Sequence, residues 1–391
     1  MLSGDANEDL GANEITCGGA DVASVDAMGD CQTELPYISI TAEAWRGFYE
    51  LGPVFVEIGQ KVGRRDVSDA GRMMSAECAS MKTDFAVSMA KGAETVQAAD
   101  GTSVVCHPAQ ANWGYPGHAG CPTGKDVYSP SFQPYANRTD YKYPTIDVFG
   151  MGFVPPGVLF SGLASAKAVK EIVDWNAHQG GLFTVGVPRK PGQMGGICSF
   201  VQLGHAYGLL LNDMIDHFLI TMFGMAAGGM TPGTWTAAEC WTAGGGSSGY
   251  AAPSQTLLPT LLKWQLMFED PFAKALWLGR AIPRTWLAPG AAGKNVSINN
   301  SPSSYGRLGY TLVPSSTTEI KASITLGAGF RWPPGGVQLR LRSPGFPRQR
   351  LNSVSVGGKA WAAFNASAEV VSLGATSPGA AALQDIVATF A

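Results

Sequence analysis

The chain has 391 residues, of which 45% are apolar and 15% are charged, so it is not a disordered chain and it can bury a large core. Its formal net charge is −3 at pH 7, which gives no basis for a nucleic-acid partner. No apolar run reaches the length of a membrane span, so we expect none.

Residues 1–35 form an acidic, loop-rich N-terminal segment with eight acidic residues and no Lys or Arg. The first residues are polar and lack the hydrophobic centre of a signal peptide. Four asparagine sequons are nevertheless typical of a secreted glycoprotein. They are Asn137, Asn295, Asn299 and Asn365. We therefore expect a secreted or extracellular protein whose signal peptide is not in this sequence.

A helical pattern extends over residues 36–290. Apolar residues recur at helical spacing in two segments of 36–92, in 162–178 and over seven turns of 199–223. Pro53 is expected to kink or divide the first helix. A further helical segment is predicted over 254–281, with breaks near its prolines.

The period changes to two in the last hundred residues. The stretches EIKASITL and VQLRLR alternate apolar with polar residues, and Gly357-Gly358 marks a hairpin turn. This pattern predicts an antiparallel β-sandwich over residues 295–391.

Several stretches occur in one order: AAGGMTPGTWTAAECW, YAAPSQTLLPTLLKWQLMFEDP, LWLGRAIPRTWLAPG, SSYGRLGYTLVPSSTTEIKASITL and VQLRLRSPGFPRQRLNSVSVGGKAW. Together they resemble the C-terminal portion of the six-hairpin glycosidase superfamily. The resemblance implies a multidomain α and β fold, in which an (α/α)6 toroid precedes a β-sandwich, and a carbohydrate substrate.

The helix number departs from that family. A full toroid needs twelve helices, and the sequence predicts about half as many. The helical domain at 36–290 is therefore an incomplete (α/α)-toroid, which another chain or a missing segment would complete. We expect such a half-toroid to expose an apolar face or to meet a partner there.

The stretch TPGTWTAAECW places Glu239 between Trp235 and Trp241. Glycosidic cleavage needs a carboxyl group that protonates the leaving oxygen, and aromatic faces stack on sugar rings. We interpret Glu239 as a candidate general acid and the two tryptophans as sugar contacts. The alternative is a helix cap or ion pair for Glu239, with both tryptophans in the core.

A second carboxylate is needed as base or nucleophile. Asp174 is a candidate because it lies at a predicted helix end, beside Trp175 and near His178, which we interpret as further substrate contacts. Glu43 is another candidate, with Trp45 as a nearby sugar contact, although an ion pair between Glu43 and Arg46 is the alternative.

Three functions stay open at this point. The first is a glycoside hydrolase, and the second is a non-catalytic glycan-binding or structural protein with a degenerate toroid. The third is a polysaccharide lyase, for which the family implies Asn and His at a uronate and a Tyr as acid/base; Tyr207 and Tyr250 are the candidates.

No metal or cofactor is predicted. The seven cysteines include no CxxC pair, and His178, His205 and His217 are not at ligand spacing. The predicted partner is a carbohydrate.

Overall fold

The computed structural model describes residues 18–19, 22–23, 38–97, 101–107, 161–178, 183–184, 187–188, 197–198, 202–231, 233–238, 240–241, 250, 252–288, 295–344, 347–375 and 382–391. Over these ranges the protein is mixed helix and sheet. The chain divides into two compact units, 1–258 and 259–391. The boundary falls within the last helix.

The α-helices of the described residues all begin before residue 259, and a short 3-10 helix follows at Arg284–Leu287. The α-helices are α1 (Ile38–Val62), α2 (Arg65–Gly92), α3 (Ala166–His178), α4 (Gln202–Leu211), α5 (Ile215–Gly228) and α6 (Ala252–Leu266). One short strand pair precedes α1, and three others lie in the segments between the helices. These are β1 (Gly18–Gly19) with β2 (Val22–Ala23), β3 (Glu94–Gln97) with β4 (Ser103–Cys106), β5 (Phe183–Thr184) with β6 (Val187–Pro188), and β7 (Ile197–Cys198) with β8 (Cys240–Trp241).

The first two helices form an antiparallel hairpin with a very short turn. Helix α1 continues through Pro53, so this proline does not divide it. Glycines set the distance between the helices, because an added Cβ at Gly71 would lie 2.5 Å from the carbonyl oxygen of Gly52 and 2.7 Å from the nitrogen of Val56. Gly59 faces Ser68 just as closely. The two backbones therefore touch, which side chains larger than hydrogen would prevent.

A buried histidine connects β4 to α3. The Nε2 atom of His107 lies 2.9 Å from a carboxylate oxygen of Glu171. Burial lowers the pKa of His107, against the opposing effect of Glu171. The imidazole is therefore neutral near pH 7, and its Nε2–H donates to Glu171. Burial alone would raise the pKa of Glu171, but hydrogen bonds from Lys167 and His107 outweigh it, and the pKa lies below its ordinary value.

The helix predicted over 199–223 is two helices, α4 and α5. The chain turns at Asp213, which has a φ of 59°, and Asn212 Nδ2 donates to the carbonyl oxygen of Gly208 at 2.9 Å. Asn and Asp tolerate this left-handed conformation better than other residues do. Much of the predicted apolar stripe is buried across the break, including Tyr207, Leu210, Phe218 and Met222.

The second unit contains two sheets. One has the strand order β17-β18-β14-β10-β9, and the other β11-β12-β13-β19-β15-β16. The strands are β9 (Met267–Asp270), β10 (Ala275–Leu278), β11 (Val296–Ser303), β12 (Gly306–Ser316), β13 (Glu319–Leu326), β14 (Val337–Arg340), β15 (Leu351–Val356), β16 (Lys359–Ala360), β17 (Phe364–Asn365), β18 (Val370–Leu373) and β19 (Ala382–Phe390).

One core joins the inner faces of these two sheets. The predicted alternation appears directly in β13, where Ile320, Ala322 and Ile324 are buried, and Leu339 of β14 is buried opposite the other sheet. Each side chain that points inward is followed by one that points out, as a half-buried strand requires. Sheet content of this kind agrees with the predicted sandwich.

Two features differ from the sequence-based prediction. The helix predicted over 254–281 ends at Leu266, and residues 267–278 form the antiparallel strands β9 and β10, so the helical prediction there is wrong. Strand β10 also pairs with β14 in parallel, so the second unit is not wholly antiparallel. Asp270 explains the change of structure, because its carboxylate accepts hydrogen bonds from the nitrogens of Phe272 and Ala273 and stabilises a tight turn.

A buried carboxylate organises one end of the five-stranded sheet. Both oxygens of Glu369 accept from Arg284 at 2.7 Å, and the nitrogen of Ser343 donates to Glu369 at 2.8 Å. Arg348 lies 3.4 Å away. The bidentate contact satisfies a carboxylate that is only 2% exposed.

Among the helices in the described ranges, none pairs sufficient length with the apolar character that crossing a membrane requires.

Gly71→Ala should destabilise the first unit by about 2–3 kcal/mol, because the added methyl meets backbone that cannot turn aside. Gly47→Ala is the matched control in the same hairpin, since an added Cβ there meets nothing within 4 Å. It should stabilise by about 0.5–1 kcal/mol through helix propensity. Urea unfolding measures both, and equal effects would contradict the close contact.

Glu369→Gln should lower the free energy of unfolding by about 2–4 kcal/mol, because it leaves the half-buried Arg284 without its carboxylate. Glu319→Gln is the control, since its partner Lys321 lies 4.0 Å away on the surface, and it should cost less than about 0.5 kcal/mol. Thermal and chemical unfolding check the difference. A stability unchanged by Glu369→Gln would show that the pair contributes nothing.

Candidate functional site

The loop that follows α5 is closed by its own backbone. The nitrogen of Thr231 donates to the carbonyl oxygen of Thr236 at 2.7 Å, and the nitrogen of Trp235 donates to that of Thr231 at 2.9 Å. Gly233 has a φ of 86°, a left-handed conformation that glycine adopts at little cost. These contacts place Trp235 at the tip of a tight turn.

The base of the same loop is fixed to the body of the first unit. Ala238 forms an isolated antiparallel bridge with Tyr250. Gln255, in α6, donates from Nε2 to the carbonyl oxygen of Ala237 at 2.8 Å, and Ala237 is fully buried. Tyr250 is thus bridged to Ala238, which lies three residues after Trp235 in the loop.

Trp235 and Tyr250 are both turned to solvent. Trp235 is 59% exposed and Tyr250 is 72% exposed. Trp235 also has a φ of 56°, which costs a non-glycine residue about 1–2 kcal/mol. An exposed indole in a strained backbone gains little from packing, and such strain is typical of binding sites. We define Trp235 and Tyr250, on the loop 229–238 and its bridge, as the aromatic loop site.

The rest of the Trp-Glu-Trp motif follows this site directly. Glu239, the candidate general acid, lies outside the described residues. Trp241 lies in β8, where its backbone pairs with Ile197 of β7, and its side chain is outside the description. Both sequence neighbours of Glu239 have strand pairings, because Ala238 is bridged to Tyr250 and Cys240 pairs with Cys198.

Asp174, the candidate second carboxylate, lies in the last turns of α3. It forms an ion pair with Lys170 one turn earlier, and its side chain is 38% exposed. Partial burial lowers the pKa of His217, and so does the nearby imidazole of His205, whereas the charge of Asp174 raises it. The charge of Asp174 therefore acts on His217 of α5, an electrostatic coupling between helices that the sequence did not predict.

Two further charged residues act on the same imidazole. Asp216 raises the pKa of His217, and Lys170 lowers it. His205 and His217 belong to α4 and α5, which the turn at Asp213 separates. The charge of His205 acts on His217 across this turn. We call Asp174, His205 and His217 the acid–histidine cluster.

Three other predicted site residues lie on helices. His178 is the last residue of α3 and is partly exposed, and the backbone of Trp175 lies one turn before it. The backbone of Glu43 lies in the first turns of α1. The side chains of Trp175 and Glu43 are outside the description.

Trp45 does not have the predicted role. Its indole is 4% exposed and stacks on Tyr49 with ring centroids 5.2 Å apart. Its Nε1–H donates to the carbonyl oxygen of Cys78 in α2 at 3.1 Å. A ring held in this way between α1 and α2 stabilises the hairpin and presents no face to a sugar.

The aromatic loop site and the acid–histidine cluster begin at opposite ends of α5. His217 lies in the first turn of this helix, and the aromatic loop starts after Gly228, about 16 Å further along the axis. Each is therefore a separate candidate region of the first unit.

The second unit has a polar pocket of about 170 Å³ on the outer face of its six-stranded sheet. It lies beside Gly309, and a bulge in β11 carries Asn299 and Asn300 to its edge. Thr311 and Thr325 also line it. Its hydroxyl and amide groups suit a polar ligand, but the ring of Tyr310 is buried and offers no stacking surface.

Within the part of the chain that the structure describes, no set of three or more His, Cys, Asp or Glu side chains could hold a metal ion. No protein-family model matches the chain, and no curated protein matches it.

The acid–histidine cluster makes a testable prediction for His217. Its imidazole should titrate below the ordinary value of about 6.5, and Asp174→Asn should lower the pKa further, because a carboxylate that stabilises the charged ring is lost. Lys170→Met should raise the pKa. Because the folded-state pKa lies below the unfolded one, His217 should also make the fold less stable as the pH falls below about 6.5.

Proton NMR of the histidine ring protons measures this titration. Asp84→Asn is the control, since Asp84 lies in α2 and does not contribute to the pKa of His217. If neither Asp174→Asn nor Lys170→Met changes the pKa of His217, the proposed electrostatic coupling between Asp174 and His217 is wrong.

Proposed function

We propose that this protein is a carbohydrate-active member of the six-hairpin glycosidase type, and that it contacts sugar through the aromatic loop site. The observation that carries the proposal is the exposure of Trp235 at a left-handed backbone position. Aromatic rings bind the apolar faces of sugar rings, and a preformed loop holds such a ring without further loss of entropy. Tyr250 adds a second ring and a hydroxyl.

Hydrolysis is the activity that we propose for this site. Glu239 follows the anchored residue Ala238 and lies between two tryptophans in sequence, as expected of a general acid placed beside bound sugar. Asp174 and Glu43 remain the candidates for the second carboxylate. A retaining enzyme would hold the two carboxyl groups about 5–5.5 Å apart, and an inverting enzyme about 6.5–9.5 Å apart.

A specific observation also bears on the lyase alternative. Of the two tyrosines considered as acid/base, Tyr207 is 5% exposed and lies under the guanidinium of Arg46, whereas Tyr250 is 72% exposed. Only the latter is accessible to a polysaccharide. A lyase of this type would therefore use Tyr250, and its product from a uronic substrate would carry a new carbon–carbon double bond.

A non-catalytic glycan-binding protein would use the same aromatic loop site without Glu239. The half-toroid that we propose for the helices before residue 267 is the reason to retain this alternative. Binding and turnover therefore have to be measured separately.

Trp235→Gly should weaken the binding of oligosaccharides by about tenfold or more, the loss expected for an exposed aromatic anchor. It should not lower stability, because glycine relieves the left-handed backbone. Isothermal titration against neutral and uronic oligosaccharides measures binding, and product analysis of the same samples measures turnover. Glu239→Gln should keep binding and lose turnover.

Trp286→Ala is the control for an exposed tryptophan outside the site, because Trp286 is 36% exposed in the second unit. It should leave binding unchanged. Binding that survives Trp235→Gly would refute the aromatic loop site. Binding without turnover in both the original chain and Glu239→Gln would favour the non-catalytic protein, and an unsaturated uronic product would favour the lyase.

A further inference from the structure

Helix α1 exposes a continuous apolar stripe. Leu51, Val54, Ile58 and Val62 are 44–62% exposed. At 100° per residue these positions lie within about 80° of one another, and they extend over about 16 Å of the helix. Their spacing of three and four residues is that of a helix–helix seam. We call these four residues the α1 stripe.

The α1 stripe takes no part in the contact between α1 and α2. The contact with α2 uses a different side of α1, on which Gly52, Val56 and Gly59 meet α2 at backbone distance. Tight glycine packing turns the stripe away from α2. Elsewhere in the described ranges, large apolar side chains are exposed singly or in pairs, such as Ile220 and Phe223 on α5, whereas α1 exposes four in three turns.

Charged residues border the stripe along one side. Glu50 lies near its N-terminal end and Lys61 near its C-terminal end, at nearly the same angle around the helix. In the single chain, Glu50 pairs with Arg46 and Lys61 pairs with Glu57, each at 2.5 Å. Each end of the border thus carries an ion pair, and the member nearer the stripe is Glu50 at one end and Lys61 at the other.

This polarity determines which partner fits. In a parallel pair with twofold symmetry, the charged borders of the two copies would lie on opposite sides of the seam, so Glu50 and Lys61 would meet no charge of the partner helix. In an antiparallel pair, Val54 of one copy faces Ile58 of the other. Glu50 of each copy then lies at the level of Lys61 of the other. An antiparallel pair has twofold symmetry, and the same surface serves on both copies.

We propose that the α1 stripe is the interface of a homodimer, in which two copies of this chain pack their α1 helices antiparallel. The occupant of the stripe is a second copy, because its apolar seam and its charged border are both self-complementary. The pairing covers the apolar face that an incomplete helical domain was expected to present to a partner. It does not depend on the proposed sugar contacts.

Sedimentation velocity of the full chain over a range of concentrations tests the proposal. We expect a reversible dimer, which Ile58→Glu should weaken by at least about tenfold, because it places two like charges at the centre of the seam. Val87→Glu is the matched control, since Val87 is 60% exposed on α2, outside the stripe. It should leave the dimer unchanged. Circular dichroism confirms that each variant is folded.

Charge exchange tests the antiparallel direction. Glu50→Lys and Lys61→Glu should each weaken the dimer by up to about fivefold, and the double variant should recover much of the loss. A chain that stays monomeric at every concentration would overturn the proposal. So would a dimer that Ile58→Glu leaves intact, or a double variant weaker than both single ones.

Discussion

Contact between the backbones of α1 and α2 is the constraint on which the helical hairpin of the first unit depends. At Gly71 no atom separates one helix from the other except hydrogen. Helices that approach so closely bury few large side chains between them. The apolar residues of α1 consequently divide into two sets, one against α2 and one that the hairpin leaves uncovered. A surface available for association thus follows from the smallness of the buried residues.

The aromatic loop site rests on a different principle, which is a rigid base beneath an exposed tip. The buried Ala237, the bridge at Ala238 and the amide of Gln255 hold the base, so that Trp235 can occupy an unfavourable backbone conformation without disturbing its surroundings. The acid–histidine cluster is built instead from three helices, and the charges of Asp174 and His205 act on His217. One region offers surface for a ligand, and the other offers an imidazole whose pKa depends on its charged neighbours.

The parts of the fold that could be predicted are those in which one face of an element is buried. In β13 the alternation at Ile320, Ala322 and Ile324 identifies the strand because polar residues separate them. Residues 267–278 have no such alternation, and their apolar run fits a helix or a buried strand equally well. The turn at Asp270 decides between them, through hydrogen bonds that the pattern does not contain.

The candidate site was predictable to a similar degree. Trp235 is found from composition alone, because an aromatic pair around a carboxylate is unusual in a segment of small residues. Trp45 has the same local character, yet it is buried, since its environment is set by α2 and not by its neighbours in sequence. The cluster around His217 was missed because a helix break had to be recognised first. The Asn212-Asp213 pair was the available signal, and its meaning depends on the left-handed turn.

The position of β19 has a consequence for the order of folding. This strand lies between β13 and β15 in the six-stranded sheet, although it is the last strand in sequence. During synthesis, the meander of β11, β12 and β13 and the hairpin of β15 and β16 cannot join into one sheet before β19 is made. Each has an unpaired strand edge until then. Until residues 382–390 leave the ribosome, those edges are exposed to mispairing. A single late segment therefore completes the sheet in one step.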